Sequence, residues 1–159
     1  MPMMPGGMAF APLLLLGWIC AAAAQAVVHV PNNDPEMAAA QGKAQATLAE
    51  FWRVFDRPGA NEEGFAVKVA IPYGANNSEH MWFNGIERSG GKLFGTLNNN
   101  PVHVTELQRG QRIEIDERRI SDWMYLRSGK IVGNHTMRPL LKRLPPQEAA
   151  HYRAMLADP

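Results

Sequence analysis

The chain has 159 residues, a formal net charge of +1, 46% hydrophobic and 19% charged side chains, and one cysteine. That balance excludes a disordered tail and a coiled coil. With no long basic run, it also argues against a surface that tracks nucleic-acid phosphates, which needs clustered lysine and arginine.

From Met1 to Ala26 no side chain is charged, and "MAFAPLLLLGWICAAAA" is a continuous apolar run ending in small residues. Ala22-Ala23-Ala24 and Ala24-Gln25-Ala26 both fit a small-x-small cleavage rule, so residues 1–26 are expected to be a secretory signal peptide. The leader lacks the usual Lys or Arg, which points to a weak leader or a miscalled start codon; the rival reading is an uncleaved membrane anchor, although the run is short for a full span. Cys20 lies in this leader behind Trp18 and Ile19, not behind the small residues that lipidation requires. The mature chain is then expected to hold no disulfide, thiol nucleophile or thiolate metal site. Residues 27–33 read as an extended linker carrying His29, and residues 34–158 as a single domain long enough for a modest core.

In that domain Asp34 can cap a helix and Pro35 suits its first position. Met37, Ala40, Ala44, Leu48, Phe51 and Phe55 recur at helical spacing, which predicts one helix running to Pro58-Gly59. Gly42 weakens its middle by about 1 kcal/mol relative to alanine. From Gly64 the period becomes two: Phe65, Val67, Val69 and Ile71 alternate with Ala66, Lys68 and Ala70, as in a half-buried strand. "EHMWFNGIERSGGKLFGTLNN" predicts a hairpin around Ser89-Gly90-Gly91. "PVHV" reads as a short extended piece. A turn at Arg109-Gly110 leads into a strand with Ile113 and Ile115 inward. "ISDWMYLRSGKIVGN" is a second hairpin, turning at Ser128-Gly129, and Gly133 would permit close backbone approach. Thr136 reads as a helix cap, with Pro139 tolerable in the first turn. Pro145-Pro146 separates that short helix from a last one whose Ala149, Tyr152, Arg153 and Leu156 share a face. The sum is an α+β fold: an N-terminal helix, a curled antiparallel sheet of about six short strands, and two C-terminal helices.

Several words are familiar together. "FAVKVAIP", "EHMWF", "GQRIEI", "ISDWMYLRSGKIVGNHTMRPLLKRLPP" and "EAAHYRAML" resemble the bacterial YegJ-like family, domain of unknown function 2314, from about Asp34 to Asp158. The resemblance implies a small α+β domain, exported or cytoplasmic, and implies no reaction, cofactor or catalytic residue. Some related domains resemble immunity proteins of bacterial toxin systems, which suggests a binding role by analogy only.

Chemistry is harder to place. Adjacent strand residues point to opposite faces, so His80, Trp82 and Asn84 should share one face, with Glu79, Met81 and Phe83 on the other. His80 would then have no neighbouring acid on its own face and reads as a structural histidine before a general base. His29, His80, His103, His135 and His151 form no close ligand-like pair, so neither a metal nor another cofactor is expected. Ser78, Ser89, Ser121 and Ser128 lie in no Gly-x-Ser-x-Gly elbow, which argues against a serine nucleophile. In "DWMYLRSGKIVGN" large groups fall on both faces, as in a central strand covered on each side. Asp122 there needs a partner, because an unpaired desolvated carboxylate costs several kcal/mol. Arg138 is the expected one, forming a structural clamp; the rival reading makes the two a ligand-binding pair.

No catalytic residue is assigned. The reading is an exported, periplasmic or secreted, non-catalytic domain that binds a protein partner or small envelope ligand. Its candidate binding residues are Asp122, Trp123, His135, Arg138, His80 and Trp82. No nucleic acid is expected, and membrane contact only through an uncleaved leader. One alternative is a hydrolase using residues among Glu79, His80, Asp122, His135 and Arg138 in one cleft. A second is a structural envelope protein without a ligand.

Overall fold

A computed structural model describes residues 34–158; the expected leader and linker, with Cys20 and His29, lie outside the described residues. Asp34 caps the first helix as its position suggests, accepting from Met37 N at 2.8 Å, with Pro35 in the first turn. The predicted single helix is two: α1 (Pro35–Ala46) and α2 (Leu48–Asp56). The break falls at Thr47, whose hydroxyl donates back to the carbonyls of Lys43 at 2.8 Å and Ala44 at 3.3 Å. Such back-bonding competes with the helical ladder and bends it. Apolar spacing alone carries no sign of this.

The break turns α2 so that Phe51, fully buried, and Val54 meet the sheet. Burying a phenylalanine contributes roughly 1.5–3 kcal/mol, which outweighs the cost of Gly42 in α1. Gly42 is exposed, and a Cβ there meets nothing within 4 Å. Gly42→Ala should therefore raise stability by about 0.5–1 kcal/mol, read as a higher urea midpoint at unchanged slope.

Six antiparallel strands form one open sheet: β1 (Glu62–Tyr73), β2 (Asn77–Ser89), β3 (Lys92–Leu97), β4 (Arg112–Ile115), β5 (Ile120–Arg127) and β6 (Lys130–Gly133), in the order β4-β3-β2-β1-β5-β6. Both predicted hairpins form. The β2–β3 turn uses Gly90 and Gly91 at φ of 59° and 76°, the left-handed conformation that a two-residue turn between twisted strands requires. "PVHV" is not a strand. Residues 98–111 form a loop between β3 and β4, and its His103 stacks on Tyr73 at 4.6 Å.

Alternation along β1 divides the sheet into two faces. Val67, Val69, Met81, Phe83, Trp123 and Tyr125 pack with Ala44, Phe51 and Val54 beneath α1 and α2. On the other face, Met124 and Leu126 pack with Ile131, Leu141 and Leu156 under α3 (Met137–Leu140) and α4 (Pro146–Met155). The two helical ends of the domain are tied together by ion pairs from Asp34 to Arg143 and from Glu36 to Lys142. The fold is α+β. Among the described residues, no helix is long and apolar enough to cross a membrane.

Candidate functional site

The apolar cover on the second face stops short of the sheet centre. There the strand registers Lys68↔Trp82, Ala70↔His80 and Lys68↔Asp122 bring the side chains of Lys68, Trp82, His80 and Asp122 onto one face. The β1–β5 pairing slips between Lys68 and Val69, whose partners are Asp122 and Ile120. Ser121 is thus the extra residue of a bulge, a device that re-aims a side chain. Its hydroxyl meets His80 Nδ1 at 2.8 Å and lies 3.3 Å from the Lys68 carbonyl oxygen.

Asp122 is the floor of this cluster, with 0% of its surface exposed. Its Oδ1 accepts from the backbone N–H groups of Trp123 at 2.9 Å and His135 at 3.1 Å. Its Oδ2 accepts from Thr136 N at 2.8 Å and Thr136 Oγ1 at 2.6 Å. Thr136 does stand at the N-terminal cap position of α3, but its hydroxyl makes no capping bond. It instead connects Asp122 to Lys68, accepting from Lys68 Nζ at 2.6 Å. The ammonium also lies 4.8 Å from the centroid of the Trp82 ring, in cation–π range.

Burial pushes the Lys68 ammonium below the usual lysine range, and the Asp122 charge opposes that shift only in part. His80 is also lowered, first by desolvation and then by the Lys68 charge. The residue as a whole stays exposed, so its inner nitrogen is covered while its outer edge meets solvent. Among the described residues, no bond engages His80 Nε2, and Lys68 Nζ has Thr136 as its single hydrogen-bond partner.

The expected Asp122–Arg138 clamp is not formed. Arg138 donates through a terminal nitrogen to the Ala157 carbonyl at 3.2 Å, beyond α4. Two backbone N–H groups and a hydroxyl from the 135–136 turn do the work assigned to it. Of the six residues singled out in the sequence, Asp122, His80 and Trp82 converge around Lys68. Trp123 and His135 lie on the α1 side instead. The Trp123 indole donates to the Ala44 carbonyl at 2.9 Å and meets the His135 ring edge-on at 5.3 Å. Glu79 faces away from His80, as alternation requires. Its carboxylate accepts from the N–H groups of Val102, His103 and Val104 at 2.8, 2.8 and 3.0 Å. Burial would raise that carboxyl, but these three bonds outweigh it and leave Glu79 below the usual range. The five residues of the hydrolase alternative therefore do not share one cleft.

Three members of the cluster were missed: Lys68, Ser121 and Thr136. Lys68 occupies the polar half of an alternating strand, which looks like a solvated position until the register with Asp122 is known. Ser121 owes its place to a bulge, and Thr136 mimics a cap.

The histidines give this region a pH signature. His80 and His135 both lie below the ordinary imidazole value, His135 through burial that the Asp122 charge only partly offsets. Between each folded value and the unfolded value of about 6.5, the unfolded chain binds more protons. Stability should be full above about pH 6.5 and fall as pH drops through that window. Urea titrations from pH 8 to 5 should show this slope, and His80→Gln with His135→Gln should flatten it. An unchanged slope in the double variant would show that other groups carry it.

Comparison with known proteins places these residues in a family. The model described as an uncharacterized protein conserved in bacteria, DUF2314, matches residues 34–157. "Uncharacterized protein YegJ" of Escherichia coli (strain K12) is 37% identical over 113 residues, covering 71% of this chain and 72% of that protein. A Neisseria meningitidis protein named "Putative ankyrin repeat protein" is 26% identical over 136 residues. The match covers 80% of this chain but 53% of that relative, so the chain spans about half its length. No solved structure matches significantly.

Proposed function

The chain belongs to the DUF2314 family of uncharacterised bacterial proteins, and from that premise we propose that it is an exported, non-catalytic domain that binds an anionic group of a protein or small envelope ligand. The binding point is Lys68, half-buried on the face of β1 and β2 opposite α1 and α2, flanked by Trp82 and His80. One observation carries the reading. The Lys68 ammonium is held at 2.6 Å by a neutral hydroxyl, Thr136 Oγ1, while the nearby carboxylate of Asp122 is already engaged by four donors. The charge is thus fixed in place with donor capacity to spare, since an ammonium has three N–H groups. Trp82 adds an apolar surface beside it, and an indole next to a positioned cation is a combination common in binding hot spots.

The same placement speaks against catalysis. The hydroxyl nearest His80 belongs to Ser121, which is 4% exposed and so is poorly placed to attack a substrate. The carboxylate nearest Lys68 is wholly buried.

Capture from a periplasmic extract tests the binding reading. Wild-type protein should retain a specific partner or ligand, and Lys68→Met should lose it while keeping its fold by circular dichroism. Identical capture by both proteins, or none by either, would sink the idea and favour a purely structural envelope role. N-terminal sequencing of the secreted product tests export separately. New termini after Ala24 or Ala26 are expected; a product that still begins at Met1 would contradict cleavage.

A further inference from the structure

With Asp122 satisfied by other donors, Arg138 is left as a cation without a carboxylate partner among the described residues. Its Nε is buried and has no hydrogen-bond partner in that set. It lines a cleft of about 310 Å³ with Arg153, Leu156 and Asp158. A second cleft, of about 520 Å³, shares Arg153, Leu156 and Asp158 and adds Lys130 and Arg127. The two clefts meet where the chain leaves α4 and runs beside β6, with Ala157 N donating to the Ile131 carbonyl at 2.8 Å.

The charges here are unbalanced. Arg127 is committed to Glu62 at 2.8 Å and adds little. Lys130 and Arg138 are held by neutral groups, the carbonyls of Ala154 and Ala157. Arg153 is exposed, and no ion pair or hydrogen bond engages its side chain among the described residues. Three cations therefore border this groove against one lining carboxylate, Asp158. The carbonyls at the end of α4 account for one donor each of Lys130 and Arg138. They do not account for Arg138 Nε or for any donor of Arg153. Guanidinium groups offer planar, paired N–H donors that match tetrahedral oxyanions, and the larger cleft has the size of a small-molecule site.

We infer that the groove running from α3 past the end of α4 to β6 is a second binding site, separate from Lys68, that takes a phosphate-bearing small molecule or headgroup. Arg138 and Arg153 grip the phosphate and Lys130 stands at its edge. The site belongs to the opposite border of the sheet from β4 and needs nothing from His80 or Trp82.

The full chain is titrated by calorimetry at low ionic strength with inorganic phosphate and glycerol 3-phosphate, and by sedimentation with phosphatidylglycerol vesicles, using chloride at matched ionic strength as the blank. Saturable binding of either soluble probe, at least ten-fold weaker in Arg153→Gln and in Arg138→Gln, supports a soluble phosphate ligand. Binding confined to vesicles, with the same losses, supports a lipid headgroup. Arg109→Gln removes an equal charge from the 98–111 loop and should leave affinity within two-fold. Arg138 also holds the Ala157 carbonyl; if circular dichroism shows that its variant is unfolded, the exposed Arg153→Gln decides alone. No saturable binding of any probe, or binding that weakens equally in Arg153→Gln and Arg109→Gln, overturns the site.

Discussion

Asp122→Ala should cost the domain about 3–5 kcal/mol, the penalty for removing one partner from a buried charged network. The expectation rests on what remains behind. The N–H groups of Trp123, His135 and Thr136 and the Thr136 hydroxyl all lose an acceptor in a place water does not reach. Each orphaned buried donor costs roughly 1–3 kcal/mol, and the terms do not add because the donors share one acceptor and one turn. Lys68 loses the nearby charge that offsets its desolvation. Against a total stability of about 5–15 kcal/mol the loss is large enough to see directly in urea unfolding, as a lower midpoint with unchanged slope. Thr136→Val should cost less, about 1–2 kcal/mol, because only the hydroxyl bridge is broken. Lys68→Met should also cost less than Asp122→Ala, since Asp122 keeps all four of its donors and no buried N–H is orphaned. A loss under about 1 kcal/mol for Asp122→Ala would mean that water or a shifted turn satisfies these donors, and the Lys68 site would lose its floor.

The sequence carries this network unevenly. Periodicity of two along "FAVKVAIP" and the glycine turns at Gly90-Gly91 and Ser128-Gly129 specify β1 and both hairpins, because these signals are local. That Asp122 is buried and needs partners was also legible, from its place among Trp123, Met124 and Tyr125. Which partners it has was not. Arg138, in the first turn of the helix that follows the hairpin, is the cation its position suggests, yet Asp122 is served by main-chain N–H groups and one hydroxyl, and every residue but proline offers such N–H groups whatever its side chain. Lys68 is distant in sequence and reaches Asp122 only through the β1–β5 register. The kink at Thr47 was hidden for a related reason. A threonine inside an apolar helical repeat bends the helix only if its hydroxyl turns back onto the ladder, as it does here onto Lys43 and Ala44.

Gly133 was legible as a site of close approach, and Gly133→Ala should be as damaging as any single change in the chain. Its φ is +81°, and a Cβ there would lie 2.4 Å from the Trp123 carbonyl oxygen and 2.5 Å from Trp123 Cε3. Neither neighbour can yield cheaply. The carbonyl accepts from Asn134 N at 2.8 Å, and the indole is fixed by its bond to Ala44 and by packing on Phe51 and Tyr125. Gly129 provides the matched control: its φ is +76°, but a Cβ there meets nothing within 4 Å. Gly129→Ala should cost only the backbone strain, about 1–2 kcal/mol. Gly133→Ala adds a clash with a packed core and should exceed about 4 kcal/mol, in the range reserved for a named structural failure. Because residues 134–136 leave directly from Gly133, the displaced turn would also pull the His135 and Thr136 N–H groups off Asp122. Lys68 would then lose its anchor along with the fold's stability. Equal losses in the two alanine variants would show that β6 can back away from Trp123, and that the rigid turn under Lys68 is softer than its geometry implies.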